Sequence, residues 1–197
     1  NGNHADLNTP YLDGCPIQAP NGLSLYLASN RPRFAGDTRT DLDIWVATRS
    51  SADEPFGAPV NLSEPINSTA DEFCPTPVRG KGLFFVSRAA SPEACGLGDV
   101  YFTRLNPAHG WSRPEHLACA PAGPNSALDE QGPSYVEVGT QEQLYFSRST
   151  LPAGFSGDVF VSEKVAGALG PAVAVGALND PTANDIQPNG RKDGLEV

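Results

Sequence analysis

Four acids in this chain sit three residues ahead of a proline: Asp13 before Pro16, Glu72 before Pro75, Glu130 before Pro133 and Asp185 before Pro188. Carboxylates gathered at one place could hold a cation such as calcium, and the same groups suit the capping of linker loops. A second set carries opposite charges. Arg31, Arg88 and Arg148 each follow an apolar run, and Asp43, Asp99 and Asp158 each open the next one. Placed across a hairpin, Arg31 would pair with Asp43, Arg88 with Asp99 and Arg148 with Asp158, in charge-assisted bonds to each other and to loop backbone. A catalytic group is needed once, so three copies of one pair point to architecture. Asn8, Asn67, Asn125 and Asn179 recur in the same way and suit turns, where the amide bonds nearby backbone.

Residues that do not recur are the better place to look for a specific function. The loop "PRFAGDTRTDL", Pro32 to Leu42, carries Arg33, Phe34, Asp37, Arg39 and Asp41, a mixture of charge and one exposed aromatic that suits contact with a partner. Asp37, Asp41 and Asp43 lack the turn glycine and terminal Glu of an EF-hand loop, so their spacing does not specify calcium. His116 follows Glu115 in an outer strand, where a side chain normally faces solvent. No Ser or Cys nucleophile with a G-x-S-x-G elbow accompanies it, so no catalytic residue is assigned.

The elements that must position these residues follow one order in each copy. The marking prolines are 59, 58 and 55 residues apart. After Pro16, Pro75 and Pro188 comes a turn segment, "APNG" at 19–22, "RGKG" at 79–82 and "RKDG" at 191–194, in which Gly, Asn-Gly or Asp-Gly supplies the positive φ of a tight hairpin. Apolar runs follow: "LSLYLAS" from Leu23, "LFFVS" from Leu83, "LYFS" from Leu144 and "LEV" from Leu195. A loop rich in Gly, Pro and Asp leads to "DLDIWVATR", "LGDVYFTR" and "SGDVFVSEK", and then to "FGAP", "WSRP" and "LGPA". The runs are short, β-branched and aromatic, without helical spacing, so the chain reads as all-β. Four antiparallel strands per copy, repeated at this length, predict a β-propeller. The blades fall at about 14–72, 73–130 and 131–186, with 187–197 starting a further one, inside a single partial domain spanning 1–197.

The succession IN-x-x-x-DE-x-x-P, G-x-LYF-S-x-R, G-x-DIY-V, W-x-x-P resembles TolB-like β-propeller repeats, relatives of WD repeats in bacterial periplasmic and cell-envelope proteins. It stands here at Asn67 to Pro75, Leu83 to Arg88, Asp99 to Phe102 and Trp111 to Pro114, and extends over about residues 7–197. The third copy departs from it, with no aromatic before Pro171 and with Asn179 to Asp185 spaced one residue wider. The resemblance implies a propeller in a periplasmic or extracellular setting. It does not select an activity, because such repeats serve as binding platforms, as accessory domains of peptidases and sometimes as catalytic propellers.

Four cysteines allow three full pairings. Cys15 and Cys74 are equivalent positions on neighbouring innermost strands, while Cys95 and Cys119 lie in a loop and a linker that leave a blade on one face, where they could meet in a disulfide. One disulfide and four thiols are both open. Zinc is not suggested, since no C-x-x-C pair exists and only His4, His109 and His116 are available.

The formal charge of −10, without clustered Lys and Arg, excludes a nucleic-acid surface. The apolar run "AVAVGAL" at 172–178 is far shorter than the ~20 residues of a membrane span. No signal peptide is visible in the chain. Closed propellers typically have four or more blades, so the chain is expected to be a fragment of a larger propeller. The function read from these features is a noncatalytic binding or scaffold propeller that contacts protein, peptide or glycan. Its contact face would carry Arg33, Phe34, Asp37 and Arg39, together with Asp13, Glu72, Glu130 and Asp185. No cofactor is assigned beyond a cation such as calcium at the channel mouth. The alternative is a propeller domain of an enzyme whose catalytic groups lie outside this segment.

Overall fold

The structure, a computed structural model, describes residues 6–149, 156–191 and 196–197, and contains no helix among them. His4, residues 192–194 of the last expected turn and Leu195, which opens the apolar run after it, therefore lie outside the described residues. In chain order the strands are β1 (Asp13–Gln18), β2 (Ser24–Ser29), β3 (Asp43–Thr48), β4 (Val60–Asn61), β5 (Glu72–Val78), β6 (Gly82–Ser87) and β7 (Asp99–Thr103). They continue as β8 (Leu105–Asn106), β9 (Gly110–Trp111), β10 (Glu115–His116), β11 (Asp129–Val138), β12 (Gln141–Ser149), β13 (Gly157–Val165) and β14 (Ala168–Ala174). The chain divides into two compact units, Asn1–Ala89 with Thr103–Pro114, and Ala90–Phe102 with Glu115–Val197.

In the first unit β1-β2-β3-β4 form an antiparallel sheet, β5 and β6 a hairpin, and β8 and β9 a short ribbon. The strand centres are dry. β6 is buried along its whole length and Leu27, Ile44 and Ala47 are at most 4 % exposed, which is why these strands read as continuous apolar runs and not as alternating ones. Ala28, Phe73, Cys74 and Val86 form one packed cluster, with Cys15 and Leu42 against it. In the second unit β7 pairs with β10, and β11-β12-β13-β14 make a second four-stranded antiparallel sheet. None of the four-stranded sheets closes on itself.

The repeat is visible in the backbone. The ladder slips between Gly14 and Ile17 in β1, Phe73 and Thr76 in β5, and Gln131 and Ser134 in β11. Each slip surrounds a marking proline, which has no N–H to give to a ladder and is therefore accommodated at a bulge. The residue before the proline takes a left-handed conformation each time: Cys15 and Cys74 at φ 47°, Gly132 at 56° and Gln187 at 55°.

Successive copies are tied by one recurring bond. The N–H of three linker acids donates to the carbonyl of the residue before the recurring aspartate: Glu72 to Leu42 (2.7 Å), Glu130 to Gly98 (2.9 Å) and Asp185 to Gly157 (2.8 Å). The recurring asparagines add a two-pronged clamp. Asn67 accepts from Ile44 N–H and donates to Ile44 C=O (2.8 and 2.9 Å), Asn125 does the same to Val100 (2.8 and 3.0 Å), and Asn179 to Val159 (2.7 and 3.1 Å). Their role is thus to hold the third strand and not to shape their own turn.

Candidate functional site

The acids ahead of the prolines are turned inward. Asp13 accepts from Thr9 N–H and hydroxyl (both 2.7 Å), Ser29 Oγ (2.6 Å) and Arg31 Nη2 (2.7 Å). Glu72 accepts from Ser68 N–H (2.7 Å), Ser68 Oγ (2.8 Å) and Ser87 Oγ (2.6 Å), and Glu130 from Ser126 and from Arg148 Nε at 2.8 Å. Asp185 accepts from Asp180 N–H, five residues back where the others reach four, which absorbs the extra residue of that linker. Glu72 and Glu130 are at most 1 % exposed and cap the loops that carry Ser68 and Ser126, so these two do not line an open binding mouth. Burial pushes the Glu72 carboxyl up to about 7 against the hydrogen bonds from Ser87 and Ser68, and it pushes Glu130 upward too. Burial also acts on Asp13, but the bonds from Ser29, Thr9 and Arg31 outweigh it and leave that carboxyl below its ordinary value.

The arginine pairing expected across the second hairpin is corrected as well. Arg31 reaches Asp13 at 2.7 Å instead of Asp43, and Arg148 reaches Glu130 at 2.8 Å instead of Asp158. In β12 Arg148 lies opposite Glu130 on one side and Asp158 on the other. It turns to the buried carboxylate, where an uncompensated charge would cost most, and leaves Asp158 at the surface. Arg88 lies 3.6 Å from Asp71 and over the Phe73 ring, and Asp99 takes His116 as its partner.

In the Pro32–Leu42 loop the charges divide. Arg33 goes inside: its side chain, 10 % exposed, holds Asp37 at 2.6 Å, Asp43 at 3.1 Å and Asp41 at 3.3 Å. Burial works against the Arg33 charge, but the bond to Asp37 and the fields of Asp43 and Asp41 outweigh it and raise its pKa. The bond from Arg33 holds Asp37 below the usual carboxylate range, whereas burial leaves Asp43 above it. Arg33 and Asp37 are therefore loop scaffolding. Arg39 and Phe34, 67 % exposed, remain outward. Beside them opens a polar cleft of about 700 Å³ with Thr38, Arg39, Thr40, Thr69, Asp71 and Arg88 on its walls. Arg39 donates to Ser68 C=O at 3.0 Å and stands 3.8–3.9 Å from Asp41 and Asp37, loose contacts that a ligand can replace.

The cysteines form two disulfides. Cys15–Cys74 joins β1 to β5 with Cα atoms 4.8 Å apart, and Cys95–Cys119 closes the loop before β7 onto its linker, with Cα atoms 5.8 Å apart. His116 stands beside the second. Its Nε2 is 3.0 Å from Asp99 Oδ2, 3.2 Å from Asn125 Nδ2 and 3.7 Å from Cys95 Sγ. The solvent-facing position expected of His116 is corrected: β10 puts it opposite Tyr101, and its side chain is 7 % exposed. Alternation along β10 leaves Glu115 as the outward residue. In the first unit the same place, opposite Trp45, is taken by Asn61, which donates to Asp43 at 2.8 Å. The Sγ and Nε2 atoms of Cys95, His116 and Cys119 all lie within 4.8 Å of one another, a grouping that C-x-x-C spacing did not reveal. The matching positions of Asn61–Leu62 and His116–Leu117 were the signal in the sequence.

Comparison with known proteins finds no matching family model and no matching curated protein.

Proposed function

We propose that this chain is a noncatalytic binding module, part of a TolB-like β-propeller in an oxidising, exported or cell-envelope setting. It holds a peptide, glycan or protein surface in the cleft beside the Pro32–Leu42 loop. The propeller reading is supported by the recurring linker bond, the bulge at each marking proline and the strand order β1-β2-β3-β4, repeated as β11-β12-β13-β14. The oxidising setting is supported by two disulfides.

The observation that carries the binding reading is how the polar groups are allocated. Asp13, Glu72 and Glu130, like the clamping asparagines, spend their hydrogen-bonding capacity on the chain itself, while the non-repeated loop leaves Arg39 and threonine hydroxyls facing an open cleft. The Arg39 and Arg88 guanidinium groups, the threonine hydroxyls and the carboxylates of Asp41 and Asp71 that line it match a ligand rich in hydroxyls or backbone amides with a scattered charge. The test is a screen of the purified protein against peptide and glycan arrays, repeated with Arg39→Ala. A hit weakened about tenfold or more by that substitution supports the cleft, since a charge-assisted bond contributes roughly 1.5–3 kcal/mol. Turnover of a hydrolase substrate that disappears in His116→Asn would replace this reading with the enzymatic one.

A further inference from the structure

Asp43 and Asp99 open equivalent strands, and both are buried with one carboxylate oxygen, Oδ1, lacking a hydrogen-bond partner. Their other oxygens are treated differently. Asp43 Oδ2 has a cation, the Arg33 guanidinium at 3.1 Å, and the Asn61 amide. Asp99 Oδ2 has the Cys95 N–H at 2.7 Å and His116 Nε2 at 3.0 Å. Where the first repeat sets the Asn61 amide and a guanidinium around its aspartate, the second sets the His116 imidazole and the Cys95 N–H, with two sulfurs beside them and, among the described residues, no guanidinium on Asp99 Oδ2. A buried carboxylate needs a compensating charge, and imidazole with two thiolates is a donor set for a soft divalent cation.

We propose that Cys95, Cys119, His116 and Asp99 form a redox-gated site for a divalent cation of the zinc class. The site opens when the Cys95–Cys119 bond is reduced and closes when it re-forms. Reduction by a dithiol passes two electrons and two protons to the Cys95–Cys119 bond and leaves the reductant as a disulfide. Cation binding then displaces both thiol protons and forms two metal–sulfur bonds. His116 contributes the Nε2 lone pair and Asp99 a carboxylate oxygen.

The distances of three of the ligands suit this: the ligand atoms of Cys95, His116 and Cys119 lie within 4.8 Å of one another. With bonds of 2.0–2.3 Å, tetrahedral ligands are separated by roughly 3.3–3.8 Å, and Cys95 Sγ already stands 3.7 Å from His116 Nε2. The disulfide is not what places these residues. Cys95 is held by its N–H on Asp99, and the Cys119 segment by Ala120 N–H on Asn125 C=O (2.7 Å) and Asn125 N–H on Ala118 C=O (3.2 Å). Gly96 is wedged so closely that a Cβ there would meet Leu128 O at 2.0 Å, which fixes the residue after Cys95. Asn125 Nδ2 lies 3.2 Å from the same Nε2, but it spends its two hydrogens on Val100 C=O (3.0 Å) and Leu117 C=O (2.8 Å), which leaves the Nε2 lone pair for the cation. Half-exposed Cys95 leaves the bond open to a reductant.

The experiment titrates the whole chain with Zn²⁺ and Co²⁺, first oxidised, then after dithiol reduction and anaerobic desalting. The reduced chain is expected to take up one equivalent, with a thiolate-to-cobalt charge-transfer band, and the oxidised chain none. Cys95→Ser/Cys119→Ser, which keeps Cys15 and Cys74, is expected to bind none when reduced. His116→Asn installs the side chain that the first repeat uses at this place, so it keeps the fold while lowering affinity by at least the roughly 10–100-fold that loss of an outer-shell partner costs. Uptake by the oxidised chain, a cobalt spectrum without the thiolate band, or equal affinity in His116→Asn would overturn the proposal.

Discussion

Asn67 closes both backbone groups of Ile44, accepting from its N–H at 2.8 Å and donating to its carbonyl at 2.9 Å. Ile44 is fully buried, so water cannot replace either bond. Asn67→Ala leaves two buried polar groups open, and the expected loss is about 2–5 kcal/mol, from about 1–3 for each group. Asn67→Asp keeps the acceptor but sets a buried carboxylate against the Ile44 carbonyl, and so is expected to lose at least as much as alanine. Urea unfolding of the three proteins checks the order; an alanine variant within 0.5 kcal/mol of the parent, by that rough measure of a neutral surface change, would show that the clamp is dispensable.

Glu72 predicts a pH dependence of unusual sign for a carboxylate. Unfolded, it gives up its proton near 4.5; folded, it keeps it to about 7. Between those values the folded state binds more protons, so its contribution is fully present below the lower value and is lost as pH rises through the upper one. The slope approaches about 1.4 kcal/mol per pH unit at most. Asp13 has the opposite sense: its pKa is lowered, so its contribution is present above 3.8 and lost as pH falls through its folded value. Glu72→Gln, which mimics the protonated acid and does not titrate, is expected to lie closest to the parent near pH 4.5 and to gain on it as pH rises toward 7. Parallel curves would rule out a protonated Glu72.

The recurring acids, arginines and asparagines were legible as architecture from their copies alone, but their partners were not. Arg31 was expected to cross β2–β3 to Asp43; it crosses β1–β2 to Asp13, in a strand bulged beside Pro16. A bulge depends on the left-handed φ of Cys15, which no spacing announces. His116 was misplaced for a related reason: a strand of two residues is too short to reveal in sequence which of them faces in. Repeat equivalence put Cys15 and Cys74 on neighbouring strands, yet their bonding depends on a lateral approach of 4.8 Å that only packing determines.

Arg33 is the charge on which its loop depends. Arg33→Ala leaves Asp43, 1 % exposed, without its guanidinium, and the expected loss is about 3–5 kcal/mol. Arg39→Ala, whose carboxylate contacts are 3.8–3.9 Å long, is expected to change stability by less than about 1 kcal/mol. Acid narrows the Arg33 difference, because burial has already raised the Asp43 pKa and protonation removes the orphaned charge. Denaturant midpoints at neutral and acid pH test both statements, and equal losses for the two arginines would contradict the division of roles.

The left-handed position before each proline predicts opposite responses to similar substitutions. Gly132 and Gln187 share nearly the same φ, 56° and 55°, but only Gly132 is free of the side-chain clash that this conformation imposes. Gly132→Ala adds a Cβ that would lie 2.9 Å from Gln187 Cα, so backbone strain of about 1–2 kcal/mol is joined by a contact that backbone must move to relieve. Gln187→Gly removes a comparable strain. It also loosens the unfolded chain by about 0.4–1 kcal/mol, which brings the net change close to zero. Thermal or urea unfolding separates the two: Gly132→Ala is expected to lose at least about 2 kcal/mol and Gln187→Gly to stay within about 1. If alanine is tolerated at 132 as well as glycine at 187, the bulge is not held in the left-handed form that ties the marking prolines to the sheet.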